Sequence, residues 1–233
     1  MINSEIINTT ITETQIAERA FIGKVYRWMG LGLLITALTA YFVVNTESFV
    51  YALATNSFLF YGLLIAEFGI VIYLSARIQK MSAEAATAAF IIYSAINGAT
   101  LSLILLMFTG ASVASTFFTT ALTFGVMSAY GYFTKRDLTT MGSYLFMGLI
   151  GLIIASVINI FWANSTMYWI ISYVGVLLFV GLTAYDTQKI KKMSIMADGV
   201  QVRQKVAIIG ALMLYLDFIN LFLMLLRILG DRR

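Results

Sequence analysis

Three carboxylates lie inside long apolar runs of this sequence, and they are its most unusual residues chemically. They are Glu67, Asp186 and Asp217. An ionisable side chain within the hydrocarbon of a membrane costs several kcal/mol unless a partner or water compensates it, so such residues are candidates for function. Carboxylates bind hard cations such as Ca²⁺ through oxygen, and two carboxylates held close together share a proton because they cannot both ionise cheaply.

Asp217 falls near the middle of the last apolar run, which extends from Val206 to Leu229. At about 100° per residue, one narrow face of the corresponding helix is small and polar: it carries Gly210, Met213, Asp217, Asn220, Met224 and Arg227. Two interpretations fit this face. It is either a polar seam between packed helices or part of a functional site within the membrane.

Other chemistry is restricted by the residues that the sequence lacks. There is no histidine and no cysteine, which removes thiol catalysis and zinc or haem ligation through those side chains. No nucleophile and base form a recognisable pair. Tyr185-Asp186 resembles one short motif of intramembrane aspartyl proteases, but Leu216-Asp217 has no preceding Gly-x-Gly. We therefore expect no catalytic residues, no enzymatic activity and no cofactor.

The composition predicts an all-α membrane protein that crosses the bilayer several times. Hydrophobic residues make up 61% of the chain and charged residues 11%, whereas a soluble domain has about 25% charged residues. Seven apolar runs, each with about the length of a bilayer-spanning helix, cover residues 25–45, 57–76, 86–108, 111–134, 142–162, 167–187 and 206–229. We expect a tail at residues 1–24 and a seven-helix domain at residues 25–230. Asn97, Asn159 and Asn220 lie within these runs and are candidates for lining a permeation path.

The charges alternate between successive connections, and this alternation predicts the topology. Of the 15 basic residues, 12 fall near the N-terminus or in the connections after runs 2, 4 and 6. By the positive-inside rule, the N-terminus and these connections face the cytoplasm, and the protein resides in the cell membrane. The net charge of +4 reflects this topology and a lipid partner, not nucleic-acid binding. Arg227, Arg232 and Arg233 would then lie outside, unless the last segment is re-entrant.

Several stretches resemble the bacterial form of the transmembrane Bax inhibitor motif family. They are YRWMGLGLLITALTAY, YSAINGATLS, GYFTKRDLTTMGSYLFMGLIGLIIASVINIF, GLTAYDTQKIK and LYLDFINLFLMLLRILG, and they extend from about Tyr26 to Gly230. The resemblance implies a seven-helix bundle whose last helix is central, and a pH-sensitive calcium leak. Asp186 and Asp217 would form the paired pH sensor and the transient Ca²⁺ ligands. Glu67, Arg77 and Arg227 would be supporting charges.

Two functions from different classes remain open at this point. The first is a passive pathway in which Ca²⁺ is the permeant ion and not a cofactor. The second is a regulatory membrane protein that conducts nothing and binds a membrane-bound quality-control protease, a role associated with some bacterial relatives. A proton-coupled transporter is a weaker third alternative, because such transporters usually show an inverted repeat and the two halves of this sequence do not.

Overall fold

The computed structural model describes the backbone of residues 2–196 and 199–233 and the side chains of residues 15–195 and 199–233. In this part of the chain there are eight helices: α1 (Ile2–Val44), α2 (Glu47–Thr55), α3 (Ser57–Arg77), α4 (Ala83–Leu105), α5 (Gly110–Phe133), α6 (Thr139–Trp162), α7 (Ser165–Met196) and α8 (Val200–Leu229). All except the short α2 are long and apolar enough to cross a membrane. The predicted all-α class and the seven predicted spans are confirmed.

Side-chain caps explain why several helices begin where they do. Asn56 accepts a hydrogen bond from the Leu59 amide at 3.0 Å, and Ser82 accepts one from the Ala85 amide at 3.1 Å. Thr109 does the same for the Ser112 amide at 3.3 Å. Each cap satisfies one of the amides that a first helical turn leaves without a partner. The three caps therefore fix the residues at which α3, α4 and α5 begin.

Helix α8 is the centre of the bundle, as the resemblance implies. It packs against α1, α4, α5 and α7, and two thirds of its most apolar window is buried inside the protein. The buried residues occur on all of its faces and include Leu214, Tyr215, Asp217 and Leu221. A helix enclosed by protein on all sides need not meet lipid, so it can carry polar side chains that a peripheral helix could not.

Helices α3 and α6 form the periphery. Only Leu74 is buried on α3, and only Gly142 and Leu152 are buried on α6. Large apolar side chains such as Phe58 and Phe161 are almost fully exposed. In a bilayer these surfaces face lipid, where apolar exposure carries no penalty.

The connection between the last two spans is much shorter than the sequence suggested. Because its residues are polar, Gln188 to Lys205 reads as one 18-residue loop, but α7 continues to Met196 and α8 begins at Val200. Both helices extend beyond their apolar segments. The 30 residues between Asp186 and Asp217 are therefore mostly helical, which allows two neighbouring helices to carry the two carboxylates at similar depths.

Helix α1 passes through the predicted boundary at residue 24 without interruption. Phe21, Ile22 and Val25 are all buried in the core. At least the last turn before residue 24 therefore packs as part of the bundle, while the side chains of residues 1–14 lie outside the described ones. The division into tail and domain stays a prediction.

Two ends of the bundle can be distinguished by their contacts. At the basic end, Gln188 accepts a hydrogen bond from the Leu138 amide at 2.9 Å and donates one to the Arg136 carbonyl at 2.8 Å. Lys192 pairs with Asp137 at 2.7 Å. The sequence segments TKRDL and YDTQ, which carry much of the resemblance, are thus joined directly. At the opposite end, Phe108 and Arg232 form an antiparallel bridge, so α8 crosses the whole bundle and is not re-entrant.

A candidate proton and ion site between the last two helices

Asp217 lies on the central helix, almost completely shielded from solvent. It is 4% exposed, and its Oδ2 atom has no hydrogen-bond partner in the described part of the chain. A buried carboxylate oxygen without a donor costs free energy that the surrounding structure must offset. A proton, a water molecule or a cation would satisfy such an atom.

Asp186 lies on α7 and is also buried, at 9% exposure. Its carboxylate interacts electrostatically with that of Asp217, and Lys189 interacts with both. Lys189 is one turn further along α7, towards the basic end, where its ammonium group also lies 5.7 Å from the centre of the Tyr185 ring. The structure therefore brings the two predicted aspartates into one electrostatic unit with a lysine that the sequence did not single out.

Close packing between helices holds the two aspartates in this position. A side chain at Gly210 of α8 would meet Ile190 of α7 at 3.3 Å, and one at Gly175 of α7 would meet Met224 of α8 at 2.9 Å. Both positions on α8 belong to the small and polar face identified in the sequence. That face points at α7, so Asp217 points towards the helix that carries Asp186.

A cavity of about 330 Å³ reaches this region from the basic end. Its walls come from α3 and the turn that follows it, from α7 and from α8, and they include Gln79, Lys189, Met213 and Leu216. Leu216 precedes Asp217 in the chain, and Lys189 interacts with both carboxylates. The cavity thus ends beside residues that neighbour the aspartates, although neither aspartate lines it.

Glu67, the third membrane carboxylate, belongs to a separate hydrogen-bond network. Thr100 donates a hydrogen bond to its Oε1 atom at 2.6 Å, and the Asn97 amide nitrogen donates one to its Oε2 atom at 3.3 Å. These bonds fasten the peripheral α3 to α4. Within the described chain, Glu67 has no ion pair with Arg77 or Arg227.

The network continues from Asn97 into the centre of the bundle. Asn97 accepts a hydrogen bond from the Tyr215 hydroxyl at 3.0 Å, and this hydroxyl lies 2.6 Å from that of Thr36 on α1. The Thr36 hydroxyl has the Ser94 backbone carbonyl as a second neighbour, at 2.8 Å. Four helices, α1, α3, α4 and α8, are therefore joined through one buried polar chain. Tyr215 is two residues before Asp217, which at about 100° per residue places it on nearly the opposite face of the same helix.

The remaining predicted residues lie apart from the aspartates. Arg77 is exposed at the basic end of α3, whereas Asn159 and Arg227 line a second cavity at the opposite end. Asn220 donates a hydrogen bond to the Leu216 carbonyl of its own helix at 2.8 Å. Asn97 donates a hydrogen bond to Glu67 through its amide nitrogen and accepts one from Tyr215 through its amide oxygen. The roles of all these residues as supporting charges or pathway-lining groups stay predictions.

Sequence reasoning missed Thr36, Tyr215 and Lys189. Thr36 and Tyr215 are ordinary residues of membrane helices, and a hydroxyl within an apolar run does not reveal its partner. Lys189 resembled a topology signal because it belongs to a cluster of lysines. The one feature that could have linked Lys189 to Asp186 is their spacing of three residues, which places both side chains on one face of a helix.

Comparison with known proteins gives the family. The family described as "Inhibitor of apoptosis-promoting Bax1" matches residues 18–233. The chain belongs to the Bax inhibitor-1 family. The resemblance identified from the sequence is thereby confirmed, and the family match begins before the predicted domain boundary at residue 24.

Several bacterial proteins are similar to this chain over nearly their full length. "Inner membrane protein YbhL" of Escherichia coli K12 is 49% identical over 96% of this chain and 97% of that protein. An uncharacterized protein of Borreliella burgdorferi is 47% identical over 91% and 92% of the two chains. An uncharacterized membrane protein of Streptococcus pyogenes is 37% identical over 94% and 96%. These relatives and the seven candidate spans support a multi-pass protein of the bacterial inner membrane.

Proposed function

We propose that this protein is a pH-sensitive calcium leak in which Asp186 and Asp217 form the proton sensor. The observation that carries the proposal is the buried Oδ2 atom of Asp217, which has no hydrogen-bond partner in the described structure and interacts with a second buried carboxylate. Membership of the Bax inhibitor-1 family supports the proposal.

The pair responds to pH because its charge determines how tightly α7 and α8 are held together. With one shared proton, the carboxylates attract each other through a charge-assisted hydrogen bond. Loss of that proton replaces attraction with repulsion, and gain of a second proton removes the charge from the bond. Either change loosens the contact between the two helices. In this proposal, protons reach the pair from the cavity at the basic end.

The same pair provides a transient site for Ca²⁺. Calcium takes six to eight oxygen ligands, more than two aspartates supply. In the described part of the chain, no group of three or more histidine, cysteine, aspartate or glutamate residues is placed to hold a metal ion. A weak site of this kind suits an ion in transit, because conduction requires binding weak enough for the ion to leave.

The first experiment measures Ca²⁺ entry into liposomes that contain only the purified protein and a trapped calcium indicator, across a range of pH. We expect flux that depends on pH in the wild type. Asp186→Asn and Asp217→Asn should each flatten this dependence, and the double variant should add little because the two residues act as one unit. Absence of flux in the wild type would instead favour the non-conducting regulatory role.

Asp137→Asn is the matched control, because it makes the same chemical change in an exposed residue. The hydrogen bond from Lys192 lowers the pKa of Asp137 to about 2, with help from Thr139. A carboxyl with a lowered pKa contributes stability above its unfolded pKa and loses that contribution only as the pH falls towards the folded value. Asp137 is thus ionised throughout the neutral and mildly acidic range. If Asp186→Asn and Asp217→Asn retain the wild-type pH profile as Asp137→Asn should, the paired sensor is excluded.

A further inference from the structure

A second cavity, of about 580 Å³, opens at the end of the bundle opposite the basic end. Its polar and aromatic lining includes Asn159, Asn164, Tyr168, Trp169, Arg227 and Arg232. Arg227 is ten residues beyond Asp217, which is about 15 Å along a helix. The cavity is therefore separate from the aspartate pair, and the pH sensor of the proposed calcium leak does not include it.

Two guanidinium groups converge on one aromatic ring inside this cavity. Their Cζ atoms lie 5.5 Å and 5.6 Å from the centre of the Tyr168 ring, for Arg227 and Arg232 respectively. Arg232 also donates a hydrogen bond to the Tyr168 hydroxyl at 2.9 Å. In the described chain, no carboxylate forms an ion pair with either arginine. Two like charges close together without a counter-charge repel each other, and a bound anion would remove that repulsion.

The fold holds Arg232 in this position through its backbone. The Thr109 amide donates to the Asp231 carbonyl at 3.0 Å, and the Arg233 amide donates to the Met107 carbonyl at 3.0 Å. The Asp231 carboxylate is already engaged, since Ser112 donates a hydrogen bond to it at 3.2 Å. Arg232 is thus flanked by anchored residues, and in the described chain it forms no ion pair with the neighbouring aspartate.

The turn that leads into this segment requires a glycine. A side chain at Gly230 would meet the Leu226 carbonyl at 2.5 Å and the Phe108 ring at 2.6 Å. Because nothing larger fits, the chain can fold back against the α4–α5 connection and bring Arg232 beside Arg227. The two arginines are therefore brought together by backbone geometry and not by the chance orientation of exposed side chains.

Chemistry and position both favour a phosphate group as the anion. A guanidinium group presents a planar fork of donors that matches phosphate oxygens. Ser165, the first residue of α7, also lines the cavity, so the positive end of the helix dipole adds to the field there. Tyr168 and Trp169 are of the type enriched at the level of lipid headgroups. We propose that this cavity binds a phosphate-bearing anion, either the headgroup of an anionic lipid or a free phosphate.

The test titrates the purified full-length protein, in a neutral detergent, with three probes. They are dihexanoyl phosphatidylglycerol, inorganic phosphate and, as a zwitterionic control, dihexanoyl phosphatidylcholine. Intrinsic tryptophan fluorescence reports binding because Trp169 lines the cavity. We expect saturable binding of phosphatidylglycerol, of phosphate or of both, and binding of phosphatidylglycerol alone identifies a lipid headgroup. Arg227→Gln with Arg232→Gln should weaken binding at least about tenfold, which corresponds to about 1.4 kcal/mol.

Arg136→Gln is the control variant, because it removes the same charge from an exposed position at the basic end. It should bind the probes as the wild type does. Each single variant is also measured, and unfolding midpoints without probe show whether the variants remain folded. The proposal is overturned if neither anionic probe saturates, if phosphatidylcholine binds equally well, or if folded single variants at Arg227 and Arg232 retain full affinity.

Discussion

At the scale of single residues, the protein places its membrane carboxylates in two different environments. Glu67 accepts hydrogen bonds from Asn97 and Thr100, so each of its oxygen atoms has a donor. Asp217 has an oxygen without one. The two environments differ physically, since a satisfied carboxylate stabilises the contact between two helices whereas an oxygen without a protein donor is open to a proton, a water molecule or an ion.

The Tyr215 hydroxyl connects the Glu67 network to the central helix, and its removal should measure what that connection contributes. Tyr215→Phe keeps the ring but deprives Asn97 and Thr36 of a partner. Hydrogen bonds between membrane helices contribute on average about 0.6 kcal/mol and at most about 1.7 kcal/mol. We expect Tyr215→Phe to lower the free energy of unfolding of the purified protein by an amount in that range, which is measured as a lower unfolding midpoint.

Tyr144→Phe provides the comparison, because Tyr144 is exposed on the peripheral α6. It removes an identical hydroxyl and should leave the unfolding midpoint unchanged. Equal midpoints for Tyr215→Phe and Tyr144→Phe would show that the buried chain of hydrogen bonds contributes no measurable stability.

At the scale of helices, α7 is positioned by glycines on its neighbours. A side chain at Gly131 of α5 would overlap the Ala184 carbonyl of α7, and one at Gly142 of α6 would overlap the Tyr185 ring. Ala184 and Tyr185 immediately precede Asp186. Close approach at small residues is a general means by which membrane helices associate, and here it fixes the helix that carries one of the two aspartates.

Gly131→Ala should therefore push α5 and α7 apart. The added methyl group meets backbone, which cannot rotate away, and overpacking of this kind typically costs about 1–3 kcal/mol. We expect a lower unfolding midpoint and, because Asp186 is displaced, an altered pH profile of Ca²⁺ flux.

Gly125→Ala is the control on the same helix, since a side chain there would meet nothing within 4 Å. It should be neutral or slightly stabilising, because alanine favours the helix. A midpoint for Gly131→Ala as high as that of Gly125→Ala would contradict the close α5–α7 contact.

At the scale of the whole molecule, the ends of the bundle differ in charge and contact. The basic end collects Lys192, Asp137 and Gln188 in direct contacts between the α5–α6 connection and α7. The opposite end joins Arg232 to Phe108 and Tyr168. The positive-inside rule then predicts that the basic end faces the cytoplasm.

Cysteine labelling tests this orientation directly, because the protein has no cysteine of its own. Ser48→Cys and Arg136→Cys introduce exposed thiols near the opposite end and at the basic end, respectively. In intact cells, we expect a membrane-impermeant maleimide to label residue 48 and to label residue 136 only after the membrane is permeabilised. Labelling of residue 136 in intact cells would reverse the assigned orientation.

The sequence by itself determined the membrane class and the seven spans and singled out three membrane carboxylates, of which only the family resemblance paired Asp186 with Asp217. These follow from local properties: the length of each apolar run, the charge of each connection, and the cost of an isolated carboxylate in hydrocarbon. It misjudged the connection between α7 and α8 because polar residues do not distinguish an exposed helix that extends into water from a loop. It missed α2 because nine residues are too few for a clear helical signal.

The tertiary structure alone decided which polar groups meet. Glu67 pairs with Asn97 and Thr100 and not with an arginine, and Arg227 faces Tyr168 in a cavity that it shares with Arg232. Such partnerships depend on how helices distant in the sequence rotate and approach one another, and they follow from the packing of small residues along every contact at once. The spacing of residues along one helix fixes which side chains share a face, but not which neighbouring helix that face meets.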